Sequence, residues 1–478
     1  MHLRQFEAVM KKDQKTSFGP DPRRQLASVA DLIESDAGRD LFADFPRERV
    51  VAAIRSVLSD LREGLSPGDE APAGETVMEM VRAYLSRSEL DRIRPVVNAS
   101  GIILHTGLGR AVLPPAATDA IAKLHSCCNL QMDLDNGRRG KRNHMSEQLL
   151  AELTGAEAAM LVNNNAGATL LILAALCEGR EVIVSRGQLI EIGGSYRLTD
   201  CILRSGAEMV EVGTTNKTHL RDYEGALNEE TAAVLRVNPS NYRVVGFSQS
   251  VSIAELATLK KRRDVLIIDD LGCGALLDMR RFGLPYEPTA PDSIAAGADL
   301  VCFSGDKLIG GPQAGIIVGR SDLIERIRRH PLTRMLRVGK LTDAALEATL
   351  RLFREPGQLP DRHPLYRMLC ADQKDLRRQA MRMRRKIIKA TAAVSVRVVE
   401  GESAVGGGSF PGTALPSHLL ALRDENRSAE ELCRALRMHE PPVIARIGGD
   451  EVLLDPRTLL PGDENIVCDA VAALAGLD

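Results

Sequence analysis

Tryptophan is absent from the 478 residues, and aromatic residues make up only 3% of the chain. Recognition of single-stranded nucleic acid by stacking bases on aromatic rings therefore has little material to work with. Lysine plus arginine (62) is nearly matched by aspartate plus glutamate (64), so the formal net charge is −2 and no global basic field draws nucleic acid. No run of about 20 apolar residues occurs, which excludes a membrane-spanning helix. The start, Met1 to Phe6 (MHLRQF), has no apolar signal region, and a cytoplasmic protein is expected. Among the nine cysteines there is no Cys-x-x-Cys pair; Cys127 and Cys128 are adjacent and the others stand alone. That spacing suits neither a zinc site nor a disulfide framework, and no metal is expected. Most of the cysteines read as small buried apolar side chains.

What is present is the composition of a soluble globular protein, 44% hydrophobic and 26% charged. A chain this long exceeds one hydrophobic core, so two or three domains are expected. Residues 1–62 carry helical periodicity with turn signals: Ser28 reads as a helix cap, and Pro46 opens a run with apolar residues at helical spacing. Residues 63–96 read as a Pro- and Gly-rich linker followed by a lead-in helix. Over residues 97–340, short β-branched runs alternate with helical stretches, among them Val182–Ser185, Ala233–Val237, Val265–Asp269 and Leu300–Ser304. Continuous apolar runs of strand length predict a mostly parallel sheet with helices on both faces, an α/β fold. Residues 341–478 open with a long helix and read as a small C-terminal α/β domain.

Three strand ends carry residues that fit one chemistry. Lys307 lies in Ser304-Gly-Asp-Lys-Leu-Ile-Gly-Gly directly after a buried run, among small residues that permit close approach of a cofactor. Asp270 closes the run Val265-Leu-Ile-Ile-Asp-Asp before a glycine turn, with Asp269 as the alternative carboxylate. Asn163-Asn164-Asn165-Ala166-Gly-Ala-Thr joins the strand at Ala159 to a helix from Leu170 onward, and small residues at a helix start expose N–H groups to an anion. Each has a plainer reading: a loop lysine, a helix-capping aspartate, an ordinary Asn-Gly turn. Together, in the order anion turn, carboxylate, lysine, they match what pyridoxal 5′-phosphate (PLP) requires. The reading is a PLP-dependent transferase of fold type I, aspartate-aminotransferase-like. Lys307 would be its Schiff-base lysine, Asp270 the partner of the ring nitrogen, and Asn164, Asn165, Ala166 and Ser304 further cofactor contacts.

Longer motifs narrow this. Asn98-Ala-Ser-Gly-Ile-Ile-Leu-His-Thr-Gly-Leu-Gly-Arg110, Ser185-Arg-Gly-Gln-Leu-Ile-Glu-Ile-Gly-Gly-Ser, Glu211-Val-Gly-Thr-Thr-Asn, Phe303-Ser-Gly-Asp-Lys-Leu-Ile-Gly-Gly-Pro-Gln-Ala-Gly and Leu332-Thr-Arg-Met-Leu-Arg-Val occur in this order. From about residue 25 to the C-terminus the chain resembles bacterial selenocysteine synthases, the L-seryl-tRNA(Sec) selenium transferases. The resemblance implies conversion of seryl-tRNA(Sec) to selenocysteinyl-tRNA(Sec) through an aminoacrylyl intermediate, with selenophosphate as donor. It implies roles for Lys307 and Asp306 in catalysis, and for Arg110, Arg142, Arg334, Arg337, Thr214 and Thr215 at the substrate or donor. It also implies a tRNA-binding N-terminal segment and a homo-oligomeric ring of dimers, a decamer.

The chain departs from that pattern at Gly107 (usually Asn), at Gln188 (usually Glu), and at Asn143-His144-Met145 in place of an aromatic-Ser-His run. By charge alone, the basic stretches Arg326 to Arg337 and Arg377 to Lys389 read as solvated helix faces. Two other functions compete: a PLP lyase acting on a free amino acid or amino-sugar acid, and a tRNA-binding scaffold without catalysis. About 90 residues ahead of the core favour the tRNA enzyme over the first. Lys307 and Asp270 together argue against the second.

Overall fold

The computed structural model describes residues 21–66, 69–89, 93–140, 142, 144–194 and 196–476. The first twenty residues of the expected N-terminal domain, Pro67 and Gly68 of the expected linker, and Asn143 lie outside the described residues. The chain divides into two compact units, residues 1–95 and 96–478.

Within the first unit, four helices, Val29–Glu34, Asp36–Asp44, Arg47–Gly64 and Gly74–Glu89, bury one apolar stripe each. Leu32, Leu41, Ile54, Leu58, Val77 and Val81 form their common core. Ser28 caps the first helix through a reciprocal arrangement with Asp31.

The second unit is built on a seven-stranded sheet. Its strands in chain order are β1 (Ala158–Val162), β2 (Glu181–Ser185), β3 (Glu208–Val212), β4 (Thr231–Val237), β5 (Leu266–Gly272), β6 (Leu300–Ser304) and β7 (Gly315–Gly319). The spatial order is β1-β7-β6-β5-β4-β2-β3, with β7 antiparallel to both neighbours and the remaining pairs parallel. Alternate side chains feed two cores. Ile183, Val234, Ile267 and Val301 join one; Val182, Val184, Leu235, Ile268 and Cys302 join the other, against the helix Asn165–Cys177. Strands buried on both faces explain the continuous apolar runs.

A second sheet is C-terminal. It comprises β8 (Ser395–Gly406), β9 (Ser409–Arg423), β10 (Arg446–Gly448) and β11 (Glu451–Leu454), in the order β10-β11-β9-β8. The segment Ile102–Leu104 pairs parallel with β8, and Val97–Asn98 pairs with Val443–Ile444. Chain that precedes the large sheet in sequence is thus hydrogen-bonded into the C-terminal layer.

Three sequence expectations need correction. The helix after β1 begins at Asn165, not at Leu170, because Asn164 caps it by accepting the Gly167 N–H at 2.8 Å. Asp270 does not end its strand; β5 continues through Gly272. The basic stretch from Arg326 to Arg337 is not one helix. The first helix, Ser321–Arg329, stops before Pro331, and a single turn Leu332–Met335 leaves Arg337 in a loop. Arg377 to Lys389 does lie on one helix, Gln373–Ala390, whose Leu376, Ala380, Met383 and Ile387 are buried and whose charges face outward.

Candidate active site

A cavity of the second unit lies at the carboxyl ends of β1, β4, β5 and β6. It encloses about 300 Å³. Arg110, Asn164, Asn165, Ala166, Asp270, Ser304, Asp306 and Lys307 all line it. Side chains at the carboxyl ends of parallel strands converge on one crevice, the place where ligands bind in open α/β sheets.

The strand's period of two separates the adjacent aspartates. Asp269 faces one core, where its carboxylate accepts two hydrogen bonds from Arg236 Nη1 (2.8 and 3.1 Å) and one from Ser293 Oγ (2.6 Å). Asp270 faces the other, toward the cavity. Its Oδ1 accepts from Asn165 Nδ2 at 2.7 Å and from the Gly272 N–H at 3.0 Å, and its Oδ2 accepts from Thr169 Oγ1 at 2.9 Å. Burial pushes the Asp270 carboxyl up, opposed by the Asn165 and Thr169 hydrogen bonds and by Lys307. A cation placed against it would relieve that burial cost.

Lys307 is buried, 8% exposed, on the loop after β6. Tyr366 Oη donates to Leu308 O at 3.0 Å, and His363 Nε2 lies 3.0 Å from Ile309 O, pinning the loop just past the lysine. Over the lysine hangs the turn between β8 and β9. Gly408 there has φ +74°, and a Cβ added to it would lie 3.7 Å from Lys307 Nζ and from Ser240 Oγ. Asp306 is ion-paired to Arg110, Nη1 to Oδ2 at 2.6 Å. Arg110 itself has φ +64°, a left-handed conformation that costs a non-glycine residue energy and is held by its surroundings.

At the anion turn, Asn164 takes the Gly167 N–H, and the first helical N–H groups, those of Asn165 and Ala166, have no acceptor within the helix. Both residues line the cavity, at the positive end of the helix dipole. Asn165 Oδ1 is buried without a partner, an orphaned acceptor beside Asp270. An amine under a glycine turn, a buried carboxylate and a bare helix start at three sides of one cavity fit PLP. Ile190, Ile192, Tyr196 and Val237 supply apolar wall.

The other expected site residues lie elsewhere in the chain. Thr214 and Thr215 line a separate cavity of about 330 Å³ with Gln188 and Arg236. Arg334 and Arg337 are exposed and do not line the cavity of Lys307. The Leu336 carbonyl between them accepts the Asn163 N–H at 2.8 Å, so their loop buttresses the anion turn. Arg142 donates to Val338 O at 2.9 Å, and its Nε is buried without a partner. Burial, followed by the nearby Arg337 charge, lowers its pKa.

The departures have local explanations. Gln188 Oε1 accepts the Val237 N–H at 3.0 Å, closing the end of β4. Gly107 sits in a turn, Thr106–Leu108. His144 opens the helix His144–Thr154 and lines a pocket with Cys128, Lys340 and Asp343. Cys127 and Cys128 are exposed, Cys370 is half-buried, and the other six cysteines are buried.

The sequence model of the L-seryl-tRNA selenium transferase family matches residues 96–460. The chain belongs to this family. The L-seryl-tRNA(Sec) selenium transferase of Nitratidesulfovibrio vulgaris is 47% identical over 448 residues, 91% of this chain and 95% of the relative. That of Moorella thermoacetica is 46% identical over 460 residues, 95% of this chain and 97% of the relative. Among solved structures, D-glucosaminate-6-phosphate ammonia-lyase aligns with a TM-score of 0.56 at 22% identity, over 82% of this chain and 99% of that one. The family's fold is fold type I of the PLP-dependent enzymes, with a mixed sheet and helices on both faces.

Sequence reasoning passed over Thr169, Tyr196, Asn238 and Gln313, which contact Asp270 or line the cavity. Asn238 follows β4 as directly as Lys307's loop follows β6, so the strand-end rule applied to every strand would have found it.

Proposed function

We propose that the protein converts L-seryl-tRNA(Sec) to L-selenocysteinyl-tRNA(Sec), with PLP held at Lys307 and selenophosphate as selenium donor. The observation that carries the reading is the meeting of Lys307, Asp270 and the bare helix start at Asn165 in one cavity, in a chain whose relatives of that name match it along more than nine-tenths of its length.

Bound PLP supplies an electron-accepting ring that makes the serine Cα proton removable and its hydroxyl expellable. Lys307 provides the amine that anchors the cofactor and, at Nζ, a base for the Cα proton. Asp270 keeps a proton on the ring nitrogen, and its three hydrogen bonds hold it toward the cavity. Asn165 and Ala166 take the cofactor's phosphate on their N–H groups. Arg110, with Nη1 committed to Asp306, retains other N–H donors for an anionic donor. Because the serine carboxyl is esterified to tRNA, no guanidinium is needed to clamp a free carboxylate, and the arginines serve the donor.

The N-terminal helical unit contacts the tRNA, and the working enzyme is a homo-oligomer, a decameric ring of dimers in the cytoplasm. Arg142, Arg334, Arg337, Thr214 and Thr215 stand away from the Lys307 cavity in one chain, which suits completion of each site by a neighbouring subunit. No helix among the described residues is long and apolar enough to cross a membrane.

The test gives PLP-loaded protein seryl-tRNA(Sec) and selenophosphate, with seryl-tRNA(Ser) as control, and identifies the tRNA-bound amino acid by mass spectrometry. Selenocysteine on tRNA(Sec) alone is the expected result. Unchanged serine, beside a cofactor band that borohydride fixes at Lys307, would transfer the reading to a lyase on a small free substrate.

A further inference from the structure

Asn238 stands in the wall of two cavities: the one around Lys307 and the neighbouring one of about 330 Å³. Its backbone N–H donates to Asp270 O at 2.8 Å, locking its main chain to the strand that carries the buried carboxylate. Its side chain is tied separately. Nδ2 donates to Glu287 Oε1 at 3.3 Å, and the same oxygen accepts from the Cys273 thiol at 3.0 Å. Glu287 is 7% exposed and reaches this position from the chain between β5 and β6, one residue beyond Tyr286, outside every motif that points to the cofactor.

A carboxylate only accepts hydrogen bonds, whereas an amide has one donor end and one acceptor end. Glu287 therefore selects the nitrogen end of the Asn238 amide. It takes one of the two Nδ2 hydrogens and leaves the other, with Oδ1, for whatever occupies the cavity. A buried carboxyl placed for packing alone would be an expensive choice, since burial pushes Glu287 up and an alkyl group would fill the space. The hydrogen bonds from Cys273 and Asn238, and then the charges of Arg236 and Arg243 from β4 and the loop after it, oppose that cost.

We propose that Glu287 is a positioning residue. By holding Asn238 Nδ2 it fixes which end of that amide meets the cofactor. The inference rests on the PLP reading above and deepens it.

The experiment is titration of the purified full-length apoprotein with PLP, followed by its visible absorbance and by borohydride fixation. It compares wild type, Glu287→Gln, Glu287→Leu, Asn238→Ala and the Glu287→Leu/Asn238→Ala double variant. Glu287→Leu is expected to weaken PLP about tenfold, the effect of leaving one buried donor unheld. Glu287→Gln keeps an acceptor at the same place and is expected to bind within about twofold of wild type. The double variant should bind no worse than Asn238→Ala, because Glu287 acts on the cofactor only through the Asn238 amide. Additive losses, or PLP affinity unchanged in Glu287→Leu, overturn the positioning role while leaving the PLP reading intact. Should Glu287→Leu not fold, Glu287→Gln decides: a tenfold loss there refutes a simple acceptor. Wild-type protein that binds no PLP overturns both readings together.

Discussion

Arg110 Nη1 lies 2.6 Å from Asp306 Oδ2, tying the segment after Leu104 to the residue immediately before Lys307. The Asp306 side chain is 7% exposed and the Arg110 side chain 36%. The pair is thus half open, with its acidic partner inside and its basic partner reaching out from a left-handed backbone. An arginine kept in such a conformation is held there by its side chain's work.

Arg110→Ala should therefore separate two effects. Removing the guanidinium leaves Asp306 unpaired and costs about 1–2 kcal/mol of stability, the lower range because the arginine is partly solvated. Arg110→Gly loses the same pair but relieves the left-handed strain, so it should be about 1 kcal/mol more stable than Arg110→Ala. Both should lose at least about 10²-fold in selenium transfer. Urea unfolding and the transfer assay check this; equal stability of the two variants would show that the backbone at 110 carries no strain.

Asp270→Asn should move stability and activity in different directions. Asn keeps an acceptor for Asn165 and Gly272 and removes a charge whose burial is unfavourable. Apoprotein stability should stay within about 1 kcal/mol of wild type or rise. Activity should fall by about 10²–10³-fold, since the ring nitrogen loses its counter-charge. Parallel losses of both would assign Asp270 a structural task instead.

How much of this was legible in the sequence depends on the distance over which each residue acts. Apolar runs such as Val182–Ser185 and Leu300–Ser304 reported their own burial, so the sheet could be read locally. The sequence favours Asp270 over Asp269 only by its place directly before the glycine turn, because the run of apolar residues does not reveal which face meets the cavity. The structure separates them by the strand's alternation. Asn238 and Glu287 were invisible for another reason: they are 49 residues apart and meet only after the chain crosses between β4 and β6. Arg337 looked helical from its basic neighbours, and one proline, Pro331, decided otherwise.

The residues that do not reach Lys307 within one chain predict complementation. If a neighbouring subunit supplies Arg337, then Arg337→Ala and Lys307→Ala, each inactive alone, should regain activity when unfolded and refolded together. Random pairing in a shared-site dimer leaves half the chains in mixed dimers, each with one intact site of two, so about one quarter of wild-type activity is expected. No recovery, with mixed oligomers demonstrated by differently tagged chains, would mean that each chain completes its own site.

His363 gives the fold a pH limit on the acid side. Its Nδ1 accepts the Leu365 N–H at 3.3 Å, so Nε2 carries the proton and donates to Ile309 O at 3.0 Å. Packing there is tight: Gly310 has φ +69°, and a Cβ on it would lie 2.3 Å from His363 Cε1. Burial lowers the His363 pKa to about 4, against 6.5 for the free side chain. The unfolded chain thus binds this proton more readily than the folded one. The stabilising contribution is complete above about pH 6.5 and is lost progressively as pH falls toward 4. By linkage the loss is about 2 kcal/mol at pH 5 and about 3 kcal/mol in full. His363→Gln removes the titrating group while keeping a donor for Ile309 O. Urea midpoints measured from pH 7.5 down to 5 should fall more steeply for wild type than for the variant, by that amount. Parallel curves would mean that His363 is protonated in the folded protein and that the loop behind Lys307 tolerates the charge.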